Sequence, residues 1–290
     1  MNTIPIENRD RTQLSAADFR RLSGFIRNDF GINLTESKKV LLETRLRKRL
    51  ASTNSATYAD YVDFLFTEEG MKSELVHMVD AICTNKTDFF RESAHFDLLS
   101  TTLLPQLLAS GFGDTRRGRP LRVWSAACST GEEPFTLAMV LSEFQLANPQ
   151  FDFSILASDI STRVLDHAQR AVYGEERIDP VPEGLRRRYL RRGRRDFEGM
   201  VRVVPALRDK VEFRRVNLTD RTWSADCLFD VAFLRNVIIY FDRETKRQVV
   251  DQVVRQLRPG GYLFVGHSET LFEMDLPIEM VQPTVYRRIG

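Results

Sequence analysis

Cysteine and histidine are scarce in this chain, and long apolar runs are absent. Its 290 residues include three cysteines and four histidines, without the close spacings that metal ligands show. Distant, odd-numbered cysteines indicate free thiols in a reducing compartment, and the scattered histidines argue against a structural zinc site. The N-terminus lacks the apolar core of a secretion signal, and no window approaches a membrane span. We therefore predict a cytoplasmic protein without direct membrane insertion.

A marked excess of one charge is also missing, because the formal net charge is only +2. The cations are nevertheless concentrated in two segments. Such clusters indicate an acidic partner: nucleic acid, an anionic membrane or an acidic protein surface. The first segment contains Arg45, Arg47, Lys48 and Arg49, and the second contains Arg186, Arg187, Arg188, Arg191, Arg192, Arg194 and Arg195.

Residues 1–82 have the pattern of a small helical N-terminal domain. Residues 1–13 are polar, and we expect them to be frayed. Apolar residues recur at helical spacing from Ser15 to Phe30, with Ser15 as the N-cap and Gly31 as the stop. A second helix starts near Thr35, and two more cover about 58–66 and 71–82. We expect the second helix to group Val40, Leu41, Leu42 and Leu46 on one side and the first basic segment on the other.

The rest of the chain alternates short apolar runs with helical segments. A linker, residues 83–118, contains a polar loop and a helix from about Ser93 to Ala109. Residues 119–290 then predict an α/β domain whose continuous apolar strands form a parallel sheet covered on both faces. A small β-subdomain is inserted at about 186–210 and contains a hairpin. The predicted strands cover 121–127, 154–158, 211–218, 229–234, 262–265 and 284–289.

The stretch Val123–Pro134 predicts a buried strand, a tight turn and a helix N-terminus. Small residues and Gly131 let a ligand lie against bare backbone. No lysine follows Gly131 and the full G-x-G-x-x-G spacing is missing, while two carboxylates, Glu132 and Glu133, stand where a phosphate needs cations. The pattern therefore favours a nucleoside with a cationic or hydroxyl-rich part over a polyphosphate. Alternatively, the two acids only complement the helix dipole.

Polar residues end four successive predicted strands of the α/β domain. In a doubly wound sheet the ligand sits beyond these carboxyl ends. The alternatives are that Asp159 caps the helix near Ser161, that Tyr240 is a core aromatic, and that His267 is a satisfied structural histidine. The strand ends are Ala126, Ser158-Asp159, Asn217-Leu218 and Arg235-Asn236, the last leading to Tyr240.

Six blocks of the sequence, in order, resemble the chemotaxis receptor methyltransferases (the CheR family), and the likeness runs from about Ser15 to Arg287. The blocks are Asn85–Glu92, Val123–Pro134, Ala157–Ile160, Val216–Leu218, Arg235–Asp242 and Gly266–Glu269.

This resemblance implies an enzyme that uses S-adenosyl-L-methionine to esterify glutamate side chains on the cytoplasmic helices of chemoreceptors, with S-adenosyl-L-homocysteine as product. It also implies a Rossmann-like methyltransferase domain with an inserted β-subdomain, behind an all-α N-terminal domain. Arg91 and Tyr240 fall where the family handles its substrate. The cofactor-contacting positions are Asn85, Thr87, Arg91, Glu133, Asp159, Asn217, Leu218, Arg235 and Asn236, with Ala126 at the first strand end.

The methyl transfer implied by the resemblance needs neither a general base nor a metal ion. A glutamate is ionised at neutral pH, so it needs no general base, and a sulfonium is a good leaving group, so no metal is required. Alignment remains, and we expect Arg91 to orient the carboxylate and Tyr240 to shape the methyl-transfer pocket.

The resemblance also implies partners for the two basic segments. The helix with Arg45, Arg47, Lys48 and Arg49 predicts a dock for glutamate-rich receptor helices, which associates the enzyme with receptor arrays; the alternative is a solvated helix face. In the family, the inserted subdomain can bind a receptor's C-terminal peptide through a Gly-rich loop. Only Gly193 and Gly199 remain here, which argues against such tethering.

Two other functions compete with this interpretation. The seven arginines of the second segment suggest a methyltransferase acting on RNA or DNA. The region of Asn236 lacks the N-P-P-[YF] motif of amino-group methylators and no aromatic platform for bases is evident, so we predict no nucleic-acid partner. A non-enzymatic S-adenosylmethionine sensor is the third possibility, which the complete set of polar strand ends argues against.

Overall fold

The computed structural model describes residues 13–272 and 274–290, so the predicted frayed end lies, except for residue 13, outside the described residues. The chain forms two compact units. The first comprises the residues up to Thr84 together with Tyr240–Thr245, and the second comprises Asn85–Ile239 and Lys246–Gly290. The predicted domain limits at residues 82 and 118 stay predictions.

The first unit is helical, as predicted. Helix α1 starts where Ser15 accepts a hydrogen bond from the Asp18 N–H at 3.0 Å, and it ends at Gly31, whose φ of 69° few side chains tolerate. Its apolar stripe is buried within the unit. The helices are α1 (Ala16–Phe30), a 3₁₀ turn (Glu36–Lys38), α2 (Lys39–Ser52), α3 (Tyr58–Leu65), α4 (Glu68–Ser73) and α5 (Leu75–Ile82).

Two expectations for this unit are wrong. On α2, Leu42 and Leu46 are buried, but Val40 and Leu41 are 70% and 43% exposed, because four apolar residues span a wider arc than the neighbouring helices cover. The helix predicted over 71–82 is broken at Glu74, whose buried carboxylate is held by the side chains of Arg49 and Tyr61.

The second unit is built on a seven-stranded sheet with the order β6-β2-β1-β7-β8-β10-β9. The first five strands in that order are parallel, whereas β10 runs antiparallel to β8 and β9 antiparallel to β10. The strands are β1 (Leu121–Ala126), β2 (Phe153–Asp159), β6 (Val211–Arg215), β7 (Phe229–Leu234), β8 (Leu257–Val265), β9 (Ile278–Gln282) and β10 (Val285–Arg288).

The sheet is therefore mixed, which corrects the prediction of a parallel sheet. A short connection leads from β9 into β10, and so short a link permits only an antiparallel pair. Strand β9 was not predicted at all; four of its five residues are exposed at the sheet edge, so it lacks the apolar run that marks the central strands.

Helices cover the sheet. α8 (Glu132–Ala147) follows β1 and is buried from Pro134 to Leu141, as expected for a helix under several neighbours. The others are α6 (Ala94–Leu98) and α7 (Leu104–Ala109), joined by a π-helical turn (Leu99–Leu103), α9 (Thr162–Arg170), α10 (Glu183–Tyr189), α11 (Pro205–Arg208) and α12 (Arg243–Gln256).

The inserted β-subdomain is present as a three-stranded antiparallel sheet with the order β3-β5-β4. Strands β4 (Leu190–Arg192) and β5 (Met200–Val203) form the predicted hairpin, and β3 (Val172–Gly174) adds a third strand from outside the predicted range. Several arginines of the second basic segment form ion pairs within this unit: Arg186 with Asp179, Arg187 with Glu183, Arg188 with Glu143 and Arg192 with Glu175.

Candidate functional site

The turn after β1 is bent by backbone in the left-handed region. Ala127, Ser129 and Gly131 have φ values of 62°, 49° and 97°. A Cβ on Gly131 would lie 2.8 Å from both the Ala168 Cβ and the Tyr173 hydroxyl, so only glycine fits there. The predicted strand, tight turn and helix start are confirmed.

Asp159 ends β2 and fixes this turn. One carboxylate oxygen accepts the Ser129 N–H at 2.9 Å, and the other accepts the Ser161 N–H at 3.0 Å. The Ser161 hydroxyl, which accepts the Val164 N–H, provides the side-chain cap of α9. Asp159 is thus a buried link between the ends of β1 and β2.

An arginine between two glutamates lies at the end of β7. The Arg235 side chain is only 2% exposed and contacts the carboxylates of Glu92 at 2.9 Å and Glu133 at 3.2 Å. Its guanidinium also donates to the Arg91 carbonyl at 2.6 Å. Ser125 donates to Glu133 at 2.6 Å, so β1, α8, β7 and the loop before α6 meet at one charged cluster.

The two glutamates differ in pKa. Burial raises the pKa of Glu133, although Arg235 opposes this effect. At Glu92 burial acts in the same direction, but the charge and hydrogen bonds of Arg235 and Asn236 outweigh it and lower the pKa. Glu92 is therefore a firmly ionised partner of Arg235.

Asn236 has a φ of 58° and is held by two acids. Its side-chain amide donates to Glu92 at 3.2 Å, and its backbone N–H donates to Glu269 at 2.8 Å. The Glu269 carboxylate, 2% exposed, also accepts the N–H groups of Ile238 and Gly266 at 3.0 and 2.7 Å. Where β7 ends, the Glu269 carboxylate takes the place of the carbonyl partners that these N–H groups would have in a sheet. Its hydrogen bonds hold Asn236 in its strained conformation.

The loop 85–91 is attached to the turn and to the β-subdomain. The Asn85 carbonyl accepts from the Ser129 hydroxyl at 2.9 Å, and the Thr87 carbonyl accepts from Arg177 at 2.7 Å. Arg177 also binds Glu132, a buried acid at the start of α8. Glu132 and Glu133 therefore each have specific partners beyond any complement to the helix dipole.

The remaining predicted residues of this unit also lie at strand ends. Ala126 is buried between β2 and β7, next to Ser158 and Leu234. Asn217 lies two residues beyond β6, and its side-chain oxygen accepts from the Thr219 N–H and hydroxyl. Leu218 follows it and is partly exposed.

Tyr240 and the first basic segment belong to the first unit. Tyr240 is partly exposed, and its carbonyl accepts the Asn33 N–H at 2.9 Å. Arg45 donates to the Ile82 carbonyl and the Thr84 hydroxyl, and Arg49 forms a bidentate pair with the buried Glu74 at 2.6 and 2.8 Å. The side chains of the other two members, Arg47 and Lys48, are exposed.

Sequence reasoning missed four residues that shape the second-unit site: Ser125, Arg177, Glu92 and Glu269. Glu92 and Glu269 stand inside the blocks that carried the resemblance, so their position was visible, but their role was not. Arg177 carried no signal, because its partners are 45 and 90 residues away.

The donor set suits a ligand with both charges and hydroxyl groups. Carboxylates, guanidinium groups and an amide lie at the carboxyl ends of adjacent strands, the usual ligand edge of such a sheet. S-adenosylmethionine, which carries a carboxylate, an ammonium, a sulfonium and a ribose, is a ligand of this kind. Because this ligand has no phosphate groups, it needs no phosphate-binding loop, in accord with the absence of a lysine after Gly131.

Comparison with known proteins gives the class. Residues 85–287 match the family described as CheR methyltransferase, SAM binding domain, and residues 17–83 match its all-alpha domain. The chain is an S-adenosylmethionine-dependent methyltransferase in fold, and the family match confirms the predicted fold class and cofactor.

Curated relatives cover nearly the whole chain. A chemotaxis protein methyltransferase of Borreliella burgdorferi is 36% identical over 99% of this chain and 100% of its own. Chemotaxis protein methyltransferase 2 of Pseudomonas aeruginosa is 40% identical over 97% and 96%, and the Escherichia coli chemotaxis protein methyltransferase is 35% identical over 98% and 95%. The chain belongs to the CheR methyltransferase family. Within the described residues, no helix is long and apolar enough to cross a membrane.

Proposed function

We propose that this methyltransferase esterifies glutamate side chains on the cytoplasmic helices of chemoreceptors, in the cytoplasm and at receptor arrays. The full-length likeness to chemotaxis protein methyltransferases supports this substrate most strongly. The charged cluster around Arg235 supports it further, because Arg235 holds the Arg91 carbonyl at the carboxyl ends of the strands, the usual ligand edge of such a sheet.

When bound, the cofactor would supply an electrophilic methyl group on a sulfonium; the substrate carboxylate oxygen would take this methyl group, and the electron pair of the broken carbon–sulfur bond would stay on sulfur. No proton moves. The chain's residues therefore need to bind, orient and exclude water. Glu133, Asp159, Arg235 and Asn236 hold the cofactor in this proposal, together with Ala126, Asn85, Thr87, Arg91, Asn217 and Leu218.

Arg91 serves as the orienting group for the incoming carboxylate, and Tyr240 shapes the transfer pocket. The Arg91 guanidinium donates to the Lys86 carbonyl at 3.0 Å, which closes the loop on itself. An arginine restrained in this way offers a fixed fork for a carboxylate and loses little entropy when it binds. Tight pairing would also weaken the nucleophile, so orientation is the useful contribution.

Kinetics of the Arg91→Ala variant test this role. We expect kcat with a receptor fragment to fall about a hundredfold, because a misaligned nucleophile rarely reaches the methyl group. Affinity for S-adenosylhomocysteine, measured by calorimetry, should change far less, and Arg170→Ala, an exposed arginine on α9, serves as control. Equal losses of kcat and affinity would assign Arg91 to cofactor binding alone.

The class of product tests the substrate. The enzyme is incubated with cofactor labelled in its methyl group and either a chemoreceptor cytoplasmic fragment or RNA. Carboxyl methyl esters are released by alkali and N-methyl groups are not. Alkali-labile label on the receptor fragment is the expected result; stable label on RNA would establish the competing function, and no transfer at all would favour the sensor.

The first basic segment docks the receptor in this proposal through its exposed members, Arg47, which also has a hydrogen-bonding contact with the Tyr58 hydroxyl, and Lys48. Arg45 and Arg49 are held by partners within the unit. We expect the double charge reversal Arg47→Glu/Lys48→Glu to raise KM and weaken its dependence on salt, because exposed cations act mainly through screened attraction. The double charge reversal Arg20→Glu/Lys72→Glu, at exposed cations of α1 and α4, is the matched control. Equal KM values for both variants would leave these residues as a solvated helix face. We do not propose peptide tethering at the β-subdomain.

A further inference from the structure

Two histidines far apart in sequence meet at one carboxylate oxygen beside the charged cluster. The His95 Nδ1 lies 3.6 Å and the His267 Nε2 lies 3.9 Å from Oε2 of Glu92, and the three ligand atoms lie within 4.8 Å of one another. The Glu92 and His95 side chains are 12% and 4% exposed, whereas that of His267 is 59% exposed. The group is thus buried on one side and open on the other.

The two ring nitrogens of His95 have different surroundings. Nε2 lies 2.8 Å from the Thr284 hydroxyl, and it is the donor in this pair in the tautomer where that hydroxyl donates to the Pro283 carbonyl, 2.6 Å away. A neutral His95 then has a lone pair on Nδ1, directed at Glu92. The Nδ1 of the buried His95 has no hydrogen-bond partner among the described residues, and it faces Oε2 of Glu92, which the Arg235 guanidinium contacts at 2.9 Å.

We propose that Glu92, His95 and His267 bind a divalent transition-metal cation of the zinc class. Two imidazole nitrogens and one carboxylate are ligands that such ions prefer. Atoms bonded to one ion at about 2.1 Å lie at most about 4.2 Å apart. The two nitrogen–oxygen distances satisfy this limit, and the two nitrogens lie within 4.8 Å of each other, a separation that a small rotation of the His267 ring can shorten. The exposed His267 gives the ion its route of entry and can turn to complete the site.

The ion competes with an arginine. Arg235 contacts the same oxygen of Glu92 at 2.9 Å, so an ion bound there removes part of the arginine's anchor. This consequence depends on the proposed cofactor role of Arg235 and Asn236. Metal and cofactor then weaken each other's binding reciprocally.

Cobalt(II) and zinc titrations of the full chain test the site. We expect one equivalent of cobalt to give visible absorption from a low-symmetry site, and zinc to displace it. His267→Ala should weaken binding at least about tenfold, and because the residue is exposed, its loss leaves the fold intact. His77→Ala, on the exposed side of α5, is the matched control. In His267→Cys a new sulfur-to-cobalt charge-transfer band should appear.

Equal cobalt affinity of the wild type and His267→Ala, or a His267→Cys spectrum like that of the wild type, would overturn the site. The link to the cofactor is measured separately, by titrating S-adenosylhomocysteine with and without zinc. Weaker binding with zinc in the wild type, but not in His267→Ala, supports the link. Metal binding with unchanged cofactor affinity would refute the link while leaving the metal site established.

Discussion

His95 makes the stability of the second unit depend on pH. Burial, assisted by the charge of Arg235, lowers its pKa from 6.5 to about 4, against the opposing effect of Glu92. The folded state therefore binds this proton less readily than the unfolded chain, and stability rises with pH between these two values. The linkage relation gives a loss of about 2 kcal/mol in the free energy of unfolding between pH 7 and pH 5.

Chemical denaturation followed by tryptophan fluorescence measures this loss in the right unit, because the chain's two tryptophans, Trp124 and Trp223, both lie there. We expect His95→Gln, which does not titrate, to be less sensitive to acid by about 2 kcal/mol over the same range. His77→Gln is the control. Parallel pH profiles for the wild type and His95→Gln would refute the reasoning, as would stabilisation of the wild type on acidification.

Two further substitutions probe the turn and the sheet. In Gly131→Ala the new Cβ would lie 2.8 Å from its neighbours, at a backbone φ of 97° that alanine rarely adopts. We expect this substitution to destabilise the second unit by at least about 2 kcal/mol and to abolish calorimetric binding of S-adenosylhomocysteine. Gly184→Ala, where a Cβ would meet no atom within 4 Å, should have neither effect. Asp230→Asn removes the buried anion that Arg119 and Arg258 contact. We expect the free energy of unfolding, measured with denaturant, to fall by about 3 kcal/mol. A fall below about 1 kcal/mol would show that the two arginine side chains move into water instead.

Much of the fold could be predicted from local sequence patterns. Caps placed the ends of α1, and apolar runs placed β1, β2 and β7 within one residue, because these elements are fixed by neighbours in sequence. The predicted start of β8 was wrong by five residues, because the strand continues through Pro259-Gly260-Gly261. The polar residues ending β1, β2 and β7 were visible for the same reason: a charged group after a buried strand stands out. The antiparallel edge strand β9 was not visible, because exposed edges lack that contrast.

Long-range pairing could not be predicted. Arg45 and Arg49 looked like part of one cationic face, yet their partners come from the region of Ile82 to Thr84 and from Glu74. Likewise, Glu92 acts through Arg235 and Asn236, and nothing near it in sequence indicates this. Such contacts depend on which strands become neighbours, and a single chain's periodicity does not specify that order.

The first unit is assembled from two distant stretches of chain. Ile32 forms a β-bridge with Phe241, the Asn33 N–H binds the Tyr240 carbonyl, and Arg27 pairs with Asp242 at 2.7 Å. During synthesis the helices up to Thr84 therefore leave the ribosome long before their closing segment exists. The last contacts of the first unit can therefore form only after most of the polypeptide has been made.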